Sequence, residues 1–344
     1  MWRSTIHTRL PPNDWGAYCP HPAEHRARMA TTPSSLEAGL VIAGHGRHVW
    51  VETPDGRRLI CHPRGKKSQT VVGDRVLWQA SEDEGTIEKV EPRRNLFYRQ
   101  DEVRTKSFAA NLDQVLILIA AEPEFSESQL SRALIAAEAE HIRPIIALNK
   151  SDLTAPFERA WYRMGVYRDM GYTVLPMALK PRGDAPPEAE HNLDAMLKGK
   201  TTLVLGPSGS GKSTLINRLI PNAQVLTNAI STALNSGKHT TTSTTLYWVD
   251  ALRTTAVIDS PGFQEFGLNH IEPMHLAGLM PDIKAHASDC KFYNCSHLHE
   301  PGCGVIAALQ KASDGYSAPG AREISTSRYK IYSGLFAELS QKRY

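Results

Sequence analysis

Long hydrophobic runs are missing from this chain of 344 residues. None approaches the roughly 20 apolar residues that a membrane-spanning helix needs, so no membrane association is expected. Cysteine is scarce too. Of five cysteines, Cys19 and Cys61 stand alone, which is too thin for a disulfide scaffold and points to a reducing, cytoplasmic setting. A strong charge imbalance is also lacking: 39 Lys and Arg against 36 Asp and Glu leave +3, too little to argue for nucleic acid by itself. Residues 1–36 carry Arg3, Arg9, Arg26, Arg28 and several prolines but no apolar core, which excludes a signal peptide. They read as a disordered extension, with Met29 as an alternative start to Met1. What remains is an ordinary soluble composition, 41% hydrophobic and 22% charged, in a chain long enough for two or three domains. A monomer is expected.

Charge is unevenly placed. Between Arg57 and Lys67 lie five Lys or Arg, with His62 and no acid, in RRLICHPRGKK. This is either a solvated hairpin or a basic binding edge. Arg322, Arg328, Lys330, Lys342 and Arg343 outnumber Glu323 and Glu338 near the end, a second mildly basic surface.

Residues 38–91 read as short strands divided by turns: GLVIAG, HVWVET, RRLICH, QTVVG, RVLWQA and GTIEKV. Such a series without helical period predicts a small barrel, an OB-fold or else an SH3-like one. From 112 the pattern changes. QVLILIA, RPIIALNK, YTVLPMA, TTLVLG, TTLYWV and TTAVIDS read as strands, and 127–139, 156–170 and 191–199 as helices between them. Buried strands alternating with helices predict a parallel doubly wound sheet. After Gly262 the strands stop, and 271–344 reads as helices around a cysteine-rich insertion.

Gly206, Pro207, Ser208, Gly209, Ser210, Gly211, Lys212, Ser213 and Thr214 follow an apolar strand and open a helix, the context of a P-loop. Loop N–H groups and the helix N-terminus favour a phosphate there. Lys212 is assigned to β- and γ-oxygens and Ser213 to Mg²⁺. The loop alone also suits an ATP-binding cassette, but no LSGGQ-type signature is present and Asp259 is followed by Ser-Pro-Gly. Asp259-x-x-Gly262 is the GTPase form, with Asp259 supporting Mg²⁺ and the Gly262 N–H meeting the γ-phosphate.

Guanine selection is read from IIALNKSDL. Asp152 can accept from the two ring donors that guanine has and adenine lacks. Asn149 serves the other base edge, Lys150 lies along the ring, and Ser151 completes the turn. The bland alternative for such a tetrapeptide is a helix cap. The order is inverted: NKSD precedes the phosphate loop and DSPG comes last. A sheet cut and rejoined elsewhere keeps its ligand site at the strand C-terminal ends, so the order is that of a circular permutation. The switch after DSPG then leads towards the C-terminal region.

Within the polar stretch 222–245, GKHTTT offers Thr240, Thr241 and Thr242 to Mg²⁺, and Thr241 is preferred. Ras-like GTPases place a water-orienting glutamine after DxxG. Here Phe263 stands there. His239 is the chosen replacement, with Gln264 the alternative. Cys290-x4-Cys295-x-His297-x5-Cys303 supplies three thiolates and one imidazole, a closed structural set for one Zn²⁺. His299 is an alternate ligand, and free buried cysteines are the bland reading.

These features together resemble the small-ribosomal-subunit-dependent GTPase A family over about residues 38–344. The resemblance implies a multidomain chain: a 1–36 extension, a 37–100 OB-fold RNA-binding domain, a 101–268 circularly permuted GTPase domain and a 269–344 zinc-binding helical domain. It implies docking on the small ribosomal subunit and its rRNA, late maturation of that subunit, and hydrolysis of GTP to GDP triggered by it. The family histidine beside the switch threonines matches His239. Where the family loop near guanine O6 reads Ser-Ala, this chain has Met177-Ala178. Ala178 keeps its N–H, while Met177 lacks the bracing hydroxyl. Two other functions fit the same motifs: a permuted GTPase acting on another RNA or the large subunit, and an RNA-binding module with negligible turnover.

Overall fold

Alternation, broken by bulges in β1 and between β4 and β5, builds the first group of strands: β1 (Glu37–His45), β2 (His48–Glu52), β3 (Arg58–Pro63), β4 (Arg75–Ala80) and β5 (Gly85–Val90). Val41, Val49, Val51, Cys61, Val76, Trp78 and Ile87 turn into one small core. Antiparallel pairs β1–β2, β2–β3, β5–β4 and β4–β1, with the parallel pair β3–β5, close a five-stranded OB-type ring. The walls meet where side chains are absent: a Cβ on Gly39 would lie 2.3 Å from Val51 Cγ1. The computed structural model describes residues 36–45, 48–65, 70–81, 84–180, 188–221, 223, 244–262, 266–313 and 324–341. All belong to one compact unit, Ser35–Tyr344. Expectations placed on the extension up to residue 35, on His239, Thr240, Thr241 and Thr242, and on Phe263 and Gln264 lie outside the described residues.

QTVVG, a candidate sixth strand, forms none. The buried Asp74 carboxylate takes the Val71 N–H at 2.8 Å and both arms of Arg93 at 2.7 and 2.8 Å, so side-chain bonding replaces a ladder. The basic hairpin also changes meaning. Arg57 pairs with Asp55 and Glu37, Arg58 with Glu52, and Arg64 with Glu88, so its described arginines are matched by carboxylates of the same barrel. Lys66 and Lys67 lie outside the described residues.

A hairpin, β6 (Leu96–Gln100) and β7 (Thr105–Ala110), links the barrel to the next group. Its Ala110 N–H donates to Val72 O at 2.9 Å. The second sheet contains β8 (Gln114–Ala120), β9 (Arg143–Asn149), β10 (Thr173–Pro176), β11 (Thr201–Leu205), β12 (Thr245–Trp248) and β13 (Ala256–Asp259). Its order β10-β9-β8-β11-β13 is parallel throughout. Every residue of β8 is buried, as a strand covered on both faces must be. Helices α1 (Glu127–Ala139), α2 (Thr154–Arg163), α3 (Gly165–Asp169), α4 (Glu188–Leu197) and α5 (Lys212–Leu219) connect the strands. The single helix expected over 156–170 is two, divided at Met164–Gly165. β12 runs antiparallel to β13 because only residues 249–255 join them, too few for a crossover.

The barrel and this sheet are continuous. β1 pairs with β12 at Ala43↔Thr245, so neighbours on β1 serve two cores: Val41 the barrel and Ile42 the main cluster. Glu52, buried in the joint, accepts from the Trp248 indole and the Arg58 guanidinium, each at 2.6 Å.

A 3-10 segment (Pro273–Leu279) is followed by α6 (Pro281–Ala287), α7 (Gly304–Ser313) and α8 (Thr326–Ser340). The core face of α8 carries Arg328, Tyr332, Leu335 and Leu339. Arg328, one of the cations counted towards a basic surface, is 2% exposed. It donates to both oxygens of the buried Asp282 at 2.8 and 3.1 Å and to Ser131 of α1 at 2.6 Å. Among the described residues no helix is long and apolar enough to cross a membrane. Breaking a buried ion pair strands the remaining charge, at a cost of about 3–5 kcal/mol. Asp282→Asn is therefore expected to lower stability to urea by that amount, and a loss below about 1 kcal/mol would remove the pair from its role as the anchor of α8.

Candidate nucleotide site and metal centre

The phosphate loop turns on glycines that have no substitute. Gly209 and Gly211 have φ of 81° and 102°, the left-handed region that costs other residues strain. A Cβ on Gly206 would lie 2.6 Å from Leu118 O, and one on Gly211 2.4 Å from Asn149 Nδ2. The loop thus packs between the ends of β8 and β9, and α5 starts at Lys212 with its N-terminus facing the cradle. Ser213 and Thr214 occupy its first turn. Lys212 Nζ lies 2.5 Å from Asp259 Oδ1, which brings the phosphate lysine and the DSPG aspartate to one spot. Ser260 donates to Val204 O at 2.8 Å, holding DSPG against β11, and Gly262 approaches Gly206 O.

The Asn149–Asp152 turn sits beside it. Asn149, 4% exposed, donates through Nδ2 to Ser210 O at 2.9 Å and accepts the Leu179 N–H at 3.1 Å. One amide therefore joins the phosphate loop to the loop that carries Ala178. Lys150 sits at φ 69° and its ammonium donates to Glu122 O. The helix-cap alternative for Asp152 has no support: the cap position of α2 is Leu153, with no side-chain cap bond. The half-buried Asp152 thus remains available beside the loop. Met177 is 2% exposed and packs with Leu175, Leu179 and Leu193. Its loop is braced by backbone instead, with Ser151 N–H to Met177 O at 2.9 Å and Met177 N–H to Leu148 O at 2.8 Å.

Sequence reading missed the stretch after β8. Glu122 receives Lys150, and Pro123 lies 3.3 Å from where a Gly209 side chain would begin. Its proline next to a strand end was the available signal. It also missed the bridging role of Asn149, which no spacing reveals.

The donor atoms of Cys290, Cys295, His297 and Cys303 lie within 4.8 Å of one another. His299 is not among them. Cys290 Sγ is 3.8 Å from Cys303 Sγ, and His297 Nδ1 is 3.3 and 3.5 Å from these two sulfurs. N–H groups of Gly304 and Ile306 point at Cys290 and Cys303 sulfurs at 3.3 and 3.5 Å, as they do around thiolate ligands. Burial pushes the Cys295 thiol up to about 12, and a bound cation reverses that by favouring thiolate. Burial lowers His297, which leaves the neutral imidazole a metal requires. Burial opposes ionisation of Glu300, but bonds from the Ser296 hydroxyl and N–H, from its own N–H and from the His299 N–H hold it well below the usual carboxylate range. Tyr329 and Tyr332 of α8 donate to His297 O and Ser296 O, each at 2.8 Å. This is a closed four-donor set for one metal ion.

A sequence model described as RsgA GTPase matches residues 90–269, more than half of the chain. The chain belongs to the RsgA GTPase family. A small ribosomal subunit biogenesis GTPase RsgA of Variovorax paradoxus is 72% identical over 314 residues, covering 91% of this chain and 96% of that one. The protein of the same description from Paraburkholderia phymatum is 50% identical over 305 residues, covering 88% and 92%. Among solved structures, YloQ, described as a circularly permuted GTPase, superposes with a TM-score of 0.63 at 26% identity, covering 95% of this chain and all of that one. YjeQ from Thermotoga maritima gives 0.65 at 29% identity, covering 90% of this chain and all of that one. An RsgA GTPase is a GTP hydrolase, and such enzymes work with Mg²⁺.

Two tyrosine hydroxyls and a ring contact of His297 with Tyr332 tie the metal loop to α8, and the four-donor set closes it, so Cys295→Ser is expected to lose metal binding and the order of 288–303. Elemental analysis of untagged protein should give about one metal ion per chain for wild type and none for the variant. Full metal content in the variant would contradict the ligand set.

Proposed function

We propose that the chain binds the small ribosomal subunit in the cytoplasm, assists its late maturation, and hydrolyses GTP to GDP when that subunit stimulates it. The observation that carries this reading is the convergence of the Asn149–Asp152 turn, the Gly206–Thr214 loop and Asp259–Gly262 on one pocket, in a chain 72% identical to a protein described by that role. In this reading the domains run 37–100, 101–268 and 269–344, with 1–36 an extension, and the protein acts as a monomer. Asp152 takes the guanine ring donors, Asn149 and Ala178 the O6 edge, and Lys150 and Ser151 complete the turn. Lys212 and the loop N–H groups hold the phosphates. Ser213 and Thr241 ligate Mg²⁺, Asp259 supports it, and Gly262 meets the γ-phosphate. The ion neutralises charge on the transferring phosphoryl group.

The metal of the C-terminal set is zinc in this reading. A tetrahedron with Zn–S of about 2.3 Å and Zn–N of about 2.0 Å has edges of about 3.8 Å between sulfurs and about 3.5 Å between sulfur and nitrogen. The distances of 3.8, 3.3 and 3.5 Å support it. Zinc here pins a loop with little core of its own, and it has no position left for substrate.

Base selectivity is tested by competition. GDP and GTP should displace a fluorescent guanine nucleotide and ATP should not, while Asp152→Asn should shift preference towards xanthine nucleotides. Equal competition by ATP contradicts the role of Asp152.

Turnover gives the second test. With Phe263 in the place of a water-orienting glutamine, the isolated protein should hydrolyse GTP slowly. An activator that completes such a site is worth roughly 10³–10⁵ in rate. Small ribosomal subunits should supply it, less strongly as salt rises, because phosphate contacts release counterions. His239→Ala should abolish the stimulated rate and leave GTP affinity within a few-fold. Wild-type stimulation in that variant gives the water to Gln264 or to the ribosome. Absence of stimulation in wild type favours an RNA-binding module with negligible turnover, and stimulation by large subunits alone favours the other permuted-GTPase reading.

A further inference from the structure

Single apolar side chains in water are ordinary, but neighbouring aromatics displayed together ask for a reason. Among the large apolar side chains of the described residues Tyr293 is the most exposed, at 103%, and its neighbour Phe292 is 43% exposed. Both lie in the four residues between ligands Cys290 and Cys295. That tip is held from both sides. Lys291 N–H donates to Gly302 O at 3.0 Å, and Ser296 is clamped by Glu300 at 2.8 and 2.5 Å. The metal set closes the base of the loop. An aromatic displayed on a rigid mount loses little freedom when it binds, which distinguishes it from isolated exposed side chains such as Val103 and Leu252 elsewhere.

The company of these rings indicates the partner. Lys291 Nζ sits 5.6 Å from the Phe292 ring centroid, and Lys284 projects from α6, the element that leads into the loop. The loop's carboxylate Glu300 is engaged with Ser296 and with the Leu298 and His299 N–H groups, and it forms no ion pair with Lys291. Lys291 lies over one face of Phe292, which leaves the ring of Tyr293 as the open π-face with an ammonium in the same loop. Such a pair matches a nucleotide, the base stacking and the phosphate meeting the cation. A protein hot spot would instead be expected to set its aromatic within a surrounding apolar patch, and the neighbours Lys291 and Asn294 are polar.

We propose that Tyr293 is a stacking platform for an unpaired base of single-stranded RNA, with Lys291, held over the neighbouring Phe292 ring, on the adjoining phosphate. This deepens the small-subunit function and rests on it for the RNA that is met. It is separate from the nucleotide pocket and needs no change there.

The test uses the full chain with its metal and a non-hydrolysable GTP analogue, titrated against purified small ribosomal subunits and against a single-stranded RNA oligonucleotide. Tyr293→Ala should weaken both by about 5- to 150-fold, the span of one base–aromatic stack, while Tyr293→Phe, which keeps the ring, should stay within about threefold. Metal content and unstimulated GTP hydrolysis should be unchanged, which separates a lost contact from a damaged fold. Wild-type affinity of Tyr293→Ala for the oligonucleotide overturns the platform. If wild type fails to bind subunits yet the oligonucleotide series behaves as stated, the small-subunit function falls and the platform stands. A photocrosslinking residue at position 293 should label rRNA, and a label on ribosomal protein instead overturns the choice of RNA.

Discussion

One side chain joins the two halves of the nucleotide pocket. Asn149 ends β9, yet its amide reaches past β8 to the carbonyl of Ser210 and back to the N–H of Leu179. Both bonds are buried, where an unpaired amide would cost about 1–3 kcal/mol. The phosphate loop and the base loop therefore hold one another in register although 61 residues separate Asn149 from Ser210. This is why the inverted motif order does no harm. Pocket geometry depends on which strands are neighbours and on one cross-strand amide, and chain order affects neither.

The same economy governs what lies beyond DSPG. Chain order alone leads from the switch into the C-terminal helices. The structure first stitches this segment to the hairpin under the barrel: Gln100 N–H donates to Gly267 O at 3.1 Å and Asn269 N–H to Gln100 O at 2.9 Å. Gly267 is required, since a Cβ would lie 2.5 Å from Gln100 O. Phe266 stacks on Phe108 with centroids 6.0 Å apart, in a cluster with Phe97. Its carbonyl also takes a bond from Arg132, which pairs with Glu338 of α8. This segment thus touches the hairpin β6–β7 under the barrel and, through Arg132 of α1, the helix α8. The segment just beyond DSPG is therefore packed against elements of both the barrel side and the C-terminal helices.

Much of this was legible in the sequence because it is local. Period-two alternation gave the barrel, continuous apolar runs gave the parallel strands, and glycine and ligand spacing gave the phosphate loop and the metal set. What escaped depends on distant partners. Arg57, Arg58 and Arg64 read as either a solvated hairpin or a basic edge, and the carboxylates that pair with them lie on other strands or turns of the barrel. Arg328 read as surface charge, although its place on the α8 stripe with Tyr332, Leu335 and Leu339 marked it as buried. QTVVG had strand composition and lost the competition to the side chain of Asp74. Met177 read as a lost brace, and the structure supplies the brace through backbone bonds of Ser151 and Leu148.

The most direct test of this account is the affinity of Asn149→Ala for a fluorescent GDP analogue, with circular dichroism as a check on the fold. The account predicts a loss of about 10- to 100-fold at unchanged secondary structure, because the variant frees the Ser210 carbonyl and the Leu179 N–H from each other. Affinity within about twofold of wild type would contradict it, since the two loops would then hold their positions without the amide that joins them.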